Sequence, residues 1–334
     1  MHSLSYWKSF LVHFIFLVII TATNIKSFWL NAKNTFYKAY LRRVKQSATS
    51  WFILIILSLV WGSSFILMKQ GLIAFTSDEV AALRIAIAFV FLSPLLLKHF
   101  KNIDLKKDLK GLILMGVFGN FIPAFLFTKA ETQISSSLTG MLNALTPLFT
   151  VLLGALIYKS KIKNSQLLGV AVGLVGAVLL LGMNSGGESS KNLNYSLLVV
   201  AATFCYAISV NGIKHYLSHV NSVSASVWSF TIIGPMALVY LFSSTDFQSH
   251  LTQHPQGFSS FGYICILAIV GTALSIIIYN NLIKAAGTVF AASCTYLIPI
   301  VAVGWGILDG ETIGLVQLIS VGIIILGVWL INKK

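Results

Sequence analysis

Charge is what this chain has least of. Lys, Arg, Asp and Glu together make up 10% of its 334 residues, where soluble domains carry about a quarter. Acids are scarcer still, nine against 23 basic residues. Cysteine is almost absent too. Cys205, Cys265 and Cys294 all fall inside apolar runs, so no disulfide framework or metal cluster is read from them. Polar stretches long enough to hold a soluble domain are also missing. The longest connection between apolar runs, 242–261, is rich in Ser, Thr, Gln and His. These absences exclude a soluble enzyme. A net charge of +14 would suggest nucleic acid in a soluble chain. Here the charge sits in the connections, and no nucleic-acid partner is expected.

What is present is apolar. The hydrophobic share is 57% and the mean hydropathy is +0.86. Runs of about 18–20 apolar residues recur, each long enough as a helix to cross ~30 Å of hydrocarbon. They predict an all-α polytopic membrane protein with ten spans, near 51–68, 80–97, 111–128, 137–158, 167–182, 196–213, 224–241, 262–283, 286–307 and 313–331. Short-loop lysines orient them. With the start of the first span and the C-terminus in the cytoplasm, twelve loop lysines fall inside and three (Lys69, Lys129, Lys191) outside.

The span after Pro147 ends in "KSKIK" (159–163), whereas the span after Pro299 ends in "LDGETIG" (308–314). Otherwise the two look like copies. Gly119 and Gly271, Pro147 and Pro299, Gly154 and Gly306, and Lys159 and Glu311 are each 152 apart, and Ser64–Ser209 and Lys69–Lys214 are 145 apart. Five spans per half is an odd number, so the second half enters the membrane upside down. One copy of the loop then faces inside, where lysine is selected, and the other faces outside, where acids are tolerated. This predicts a 5+5 inverted-topology repeat, with a first half at 49–183 and a second at 184–334. Such repeats place a substrate site near the midplane between the halves.

The stretches "WGSSFILMKQGL" (61–72), "AALRIAIA" (81–88), "GNFIPAFLFTKAETQISSSLTGMLNALTPLFTVLLGALIY" (119–158) and "GETIGLVQLISVGIIILGV" (310–328) resemble the EamA family of the drug/metabolite transporter superfamily. The resemblance implies a ten-helix inverted repeat in the bacterial inner membrane that moves small metabolites, often outward, by alternating access. Members commonly close the fourth helix with an acid. This chain has Lys159 and Ser160 there and keeps Glu311 after the ninth.

Candidate substrate-binding residues are the bulky or polar side chains at membrane depth: Trp61, Ser64, Arg84, Asn120, Asn143, Tyr206, Asn211, Tyr279, Asn280, Tyr296 and Trp305. Burying an amide or phenol without a partner costs several kcal/mol, which favours a cavity over lipid for each. For the serines and threonines an ordinary interhelical hydrogen bond explains as much. Arg84 is the most interior charge, about two turns into the second span. Such a charge must be paired, hydrated or snorkelling. It reads equally as a vestibule cation for anionic substrate groups or as a partner for a carboxylate such as Glu131. The pairs His215/His219 and His250/His254 have metal-ligand spacing on a helix, but they lie in or beside loops, and solvated polar residues account for them. The spans contain no His, and no Ser–His–Asp set or carboxylate pair lies at membrane depth. No catalytic residue, metal or cofactor is therefore expected. A membrane-embedded transferase and a non-transporting scaffold are the alternatives to a transporter. The expected partners are a small neutral or zwitterionic metabolite, the bilayer, and in oligomeric form a second copy of the chain.

The spans at 167–182 and 313–331 have few polar side chains and carry glycines (Gly169, Gly173, Gly176; Gly322, Gly327). They read as packing helices, because small residues let helices approach closely in lipid. The first 48 residues hold seven basic residues and no acid, and their one apolar run, 10–22, is interrupted by His13. That run is short for a span. The extension is expected to be interfacial or dispensable, with the transporter proper starting near Val44.

Overall fold

The computed structural model describes residues 48–160, 162–183, 189–287, 290, 291 and 293–332. The N-terminal extension lies outside the described residues, apart from Ala48. Among them there are helices and no strand. Eight helices are long and apolar enough to cross a membrane. They are α1 (Ala48–Gly71), α2 (Ser77–His99), α3 (Leu105–Glu131), α4 (Ser136–Leu156), α5 (Asn164–Met183), α6 (Ser189–Tyr216), α7 (Ser222–Ser244) and, after the short α8 (Phe247–Gln253), α9 (Gly257–Ala286). Two shorter apolar helices follow, α10 (Ser293–Leu308) and α11 (Leu315–Asn332). The last two of the ten expected spans are thus the short ones.

Local chemistry sets where helices begin and bend. Thr76 and Glu79 form a reciprocal capping box at the start of α2, satisfying two donors that a helix start leaves open. Pro94 inside α2 has no N–H for the carbonyl four residues back. The hydroxyl of Ser93 donates to that carbonyl, Val90 O, at 2.9 Å. In α4 Thr146 does the same ahead of Pro147, donating to Asn143 O at 2.9 Å. α2 and α6 run past the expected spans, so that His99 and His215 lie in their last turns.

α2 packs on α7, and α5 packs on α11. In the second pair the expected packing role holds for Gly169, whose Cα lies against Gly327 O, and for Gly176, where an added Cβ would come within 2.8 Å of Ser320 O. Gly327 faces Gly169 and Gly173, whereas Gly322 has open space around it. α1 lies against α9 and α10, and α6 against α3 and α4. The leading helix of each expected half therefore packs against the third helix of the other. That crossing leaves a cavity between them.

Candidate functional site

Four helix irregularities surround the cavity, and they come in pairs. α3 carries a π-helical segment at Leu114–Phe121 and α9 one at Ile269–Leu274. α4 is interrupted by a 3-10 turn at Asn143–Leu145, and α10 opens with one at Ser293–Tyr296. π-segments displace carbonyls from their usual partners and recur at functional sites. Polar side chains collect those carbonyls here. Asn120 Nδ2 donates to Met115 O at 3.0 Å, Thr272 Oγ1 to Leu267 O at 3.0 Å, and Trp61 Nε1 to Gly271 O at 2.9 Å. The close approach needs glycine at both π-segments. A side chain at Gly119 would run into Ser209, and one at Gly271 would meet Ser64 Oγ at 3.0 Å. These are the residues spaced 152 and 145 apart in the sequence, now in contact crosswise.

The cavity holds about 860 Å³ of atom-free space, its open mouth included. Eight of the eleven candidate residues line it: Trp61, Ser64, Arg84, Asn120, Asn143, Tyr206, Tyr279 and Asn280. The other three are elsewhere. Asn211 Nδ2 donates to Thr150 O at 3.0 Å and to Ala207 O at 2.9 Å. Tyr296 donates to Val328 O at 2.6 Å, and Trp305 Nε1 to Ser63 Oγ at 2.7 Å. Thr146, Met68, Met115 and Phe127 also line the cavity without having been singled out in the sequence. For the apolar three no signal could have found them, because a cavity-facing methionine reads like a lipid-facing one.

Most of the wall is apolar or aromatic. The rings of Trp61 and Tyr279 meet edge to face at 4.9 Å, and Phe127 stacks on Tyr206 at 5.6 Å. Within this wall Arg84 is held by Nε donating to Thr272 Oγ1 at 2.7 Å. Among the described residues no carboxylate forms an ion pair with it. Asn143 Oδ1 and Asn280 Oδ1 are buried without a donor. Asn280 uses its Nδ2 on Ser226 Oγ at 3.1 Å, which turns that oxygen away from Ser226.

One end of the bundle is closed by charge. Lys69 Nζ lies 2.7 Å from Asp309 Oδ2 and 2.8 Å from Glu311 Oε1. Glu311 also accepts from Ser136 N at 3.1 Å, Ser136 Oγ at 2.8 Å, Ser137 N at 3.1 Å and the Ser137 hydroxyl. A carboxylate at the N-terminal turn of α4 meets open N–H groups and the positive end of the helix dipole. Burial alone would push Glu311 up, but the bonds from Lys69, Ser137 and Ser136 outweigh it and hold the group at about 2. Glu79 and Asp108 are buried against His250 (2.9 Å) and His219 (3.0 Å). Glu131 is buried with neither oxygen hydrogen-bonded.

The EamA-like transporter family matches this chain twice, over residues 49–182 and 193–333. The chain belongs to that family. Among curated relatives, the "Uncharacterized inner membrane transporter YedA" of Escherichia coli K12 is 27% identical over 87% of this chain and 92% of its own. The "Probable amino-acid metabolite efflux pump" of Salmonella typhimurium LT2 is 27% identical over 84% of this chain and 93% of its own. The "Uncharacterized transporter YyaM" of Bacillus subtilis is 25% identical over 81% and 89%. A solved crystal structure, 16% identical, superposes with a TM-score of 0.60 over 85% of this chain and 96% of that one, and shares the fold. The protein is a multi-pass membrane transporter of the EamA-like type.

Proposed function

We propose that this transporter exports small neutral or zwitterionic metabolites, amino acids foremost, across the bacterial inner membrane. It does so by alternating access between two inverted five-helix halves, 49–183 and 184–334. The observation that carries the substrate class is the polarity of the cavity wall. Arg84 offers guanidinium donors with no carboxylate paired to them, and Asn143 and Asn280 offer carbonyl oxygens with no donor. An unmet buried acceptor costs about 1–3 kcal/mol. A ligand bearing one carboxylate and one ammonium satisfies all three at once, while the apolar wall of Trp61, Phe127 and Tyr279 receives its side chain. The name borne by the Salmonella relative supports the same class.

The lysine bias of the loops supports an orientation in which the end closed by Lys69 and Glu311 faces the periplasm and both the start of α1 and the C-terminus face the cytoplasm. No enzymatic step or cofactor enters this reading. Counterflow of radiolabelled neutral amino acids into proteoliposomes tests it. Exchange is expected for at least one of them, and the corresponding decarboxylated amines should fail to compete. Absence of counterflow with every neutral amino acid would overturn the substrate class.

A further inference from the structure

Glu131 is the least explained residue in the bundle. It ends α3, one turn beyond the cavity-lining Phe127, and is 8% exposed with both carboxyl oxygens lacking any hydrogen-bond partner. An ionised carboxylate buried without donors is costly. The charged groups that face it are Glu311 from the α10–α11 connection, Lys69 from α1 and Arg84 from α2. α6 adds the phenol of Tyr206, stacked on Phe127. Both cations already have work elsewhere. Lys69 is taken by Asp309 and Glu311, and Arg84 is anchored on Thr272 at the cavity. Glu131 therefore feels the charges of both the closed end and the cavity and is hydrogen-bonded to neither.

Building on the transport reading, we propose that Glu131 is a proton-coupling residue and that substrate export is exchanged against a proton bound there. With the Lys69–Glu311 contact closed, a charged Glu131 would compete with Glu311 for Lys69 and repel Glu311. The neutral acid removes both effects. Closing that end then requires Glu131 to carry a proton, taken from the side on which it has just been open. Loss of that proton through the cavity to the opposite side leaves a buried anion beside Glu311. The anion draws Lys69 away and opens the contact. One proton bound and one released per substrate moved outward balances the cycle, with one net positive charge entering.

The experiment uses proteoliposomes loaded at two lumenal pH values, with a radiolabelled mixture of the neutral amino acids as probe. An acidic lumen is expected to raise accumulation several-fold over symmetric pH, and a protonophore to abolish the gain. In Glu131→Gln, which keeps the shape and the neutral charge of the acid, exchange at symmetric pH should persist at a slower rate. The ratio of accumulation with and without the gradient should fall to unity. A gradient response that survives in Glu131→Gln overturns the proposal, as does wild-type exchange that ignores the gradient. Infrared difference spectroscopy reads Glu131 without any substrate. At neutral pH the wild type should show a protonated-carboxyl C=O band that Glu131→Gln lacks, and absence of that band also overturns the proposal. Failure of exchange with every probe would instead count against the transport reading, because the infrared result stands apart from it.

Discussion

Arg84 shows how a single side chain divides two readings that the sequence leaves even. A cation two turns into an apolar helix needs a partner or water, and Glu131 was the obvious partner on paper. In the fold the two form no ion pair. Arg84 instead donates Nε to Thr272 Oγ1 and Nη1 to Met68 Sδ at 3.9 Å, and its fork lines the cavity. Replacing it should therefore change recognition more than folding. Arg84→Gln is expected to raise the half-saturation concentration for a neutral amino acid by about 10- to 100-fold, the range for loss of one charge-assisted hydrogen bond at ~1.5–3 kcal/mol. Arg84→Lys should recover only part of it, because a point charge cannot reproduce the planar fork. Competition by decarboxylated amines in counterflow checks the assignment: in Arg84→Gln, discrimination between acid and amine should disappear. Tyr296 shows the opposite lesson. Its phenol looked as suited to the cavity as that of Tyr206, yet it spends its donor on Val328 O. Two residues of one type in one helix class cannot be told apart until the rotation of each helix is known.

At the scale of elements, the bends matter more than the helices. The paired π-segments bring backbone against a serine side chain, Gly119 against Ser209 and Gly271 against Ser64. The first contact is the tighter, so Gly119→Ala should cost more than Gly271→Ala. Overpacking of this kind costs about 1–3 kcal/mol, and thermal unfolding in detergent would rank the two variants. Equal melting points would overturn the ranking and show that the tighter contact does not set the cost. The charge closure joining α1, α4 and the α10–α11 connection supports a second expectation. Glu311 is held at about 2, below its ordinary 4.5. A carboxyl with a depressed value stabilises the closed contact above pH ~4.5, and that contribution fades as the pH falls toward 2. The Glu311 contribution to the closure should thus be insensitive to pH from neutrality down to about pH 5. Glu311→Gln should loosen it at any pH. A cysteine replacing Met68, beside Lys69 in the cavity wall, should react slowly with a membrane-impermeant maleimide from that end, and markedly faster when combined with Glu311→Gln.

For the whole molecule the question is how two similar halves can carry opposite charges at matching places. Lys159 and Glu311 occupy equivalent positions, and so do Lys214 and Lys69. At one end a lysine meets acids and closes the bundle. At the other end the equivalent positions are both lysines and cannot make that ion pair. An inverted repeat accounts for this difference, because the inner face selects lysine and the outer face tolerates acids. Reporters fused after Lys163 and after Ile313 should accordingly report opposite sides of the membrane, cytoplasmic for the first and periplasmic for the second. Both on one side would refute the inversion. α5 and α11 take no part in either end. They pack glycine against backbone and leave the cavity to the other helices.

Class, the eight long spans and the marks of internal repetition were fixed by composition and spacing, because hydrocarbon imposes one secondary structure and one minimum length on any chain that crosses it. The polar lining was legible in part for the same reason. Few bulky polar side chains are tolerated at that depth, and eight of the eleven candidates line the cavity. Helix rotation decided the rest. It sent Asn211, Tyr296 and Trp305 to hydrogen bonds outside the cavity, and it brought Met68, Met115 and Phe127 in. The pairing of charges was likewise settled in three dimensions. Lys69 and Glu311 are 242 residues apart, and nothing local to either distinguishes a solvated acid from one bound by a lysine and two serines. Tertiary packing alone buried Glu131 with no hydrogen-bond partner, because Lys69 and Arg84, the two cations that act on it, are bonded to other groups.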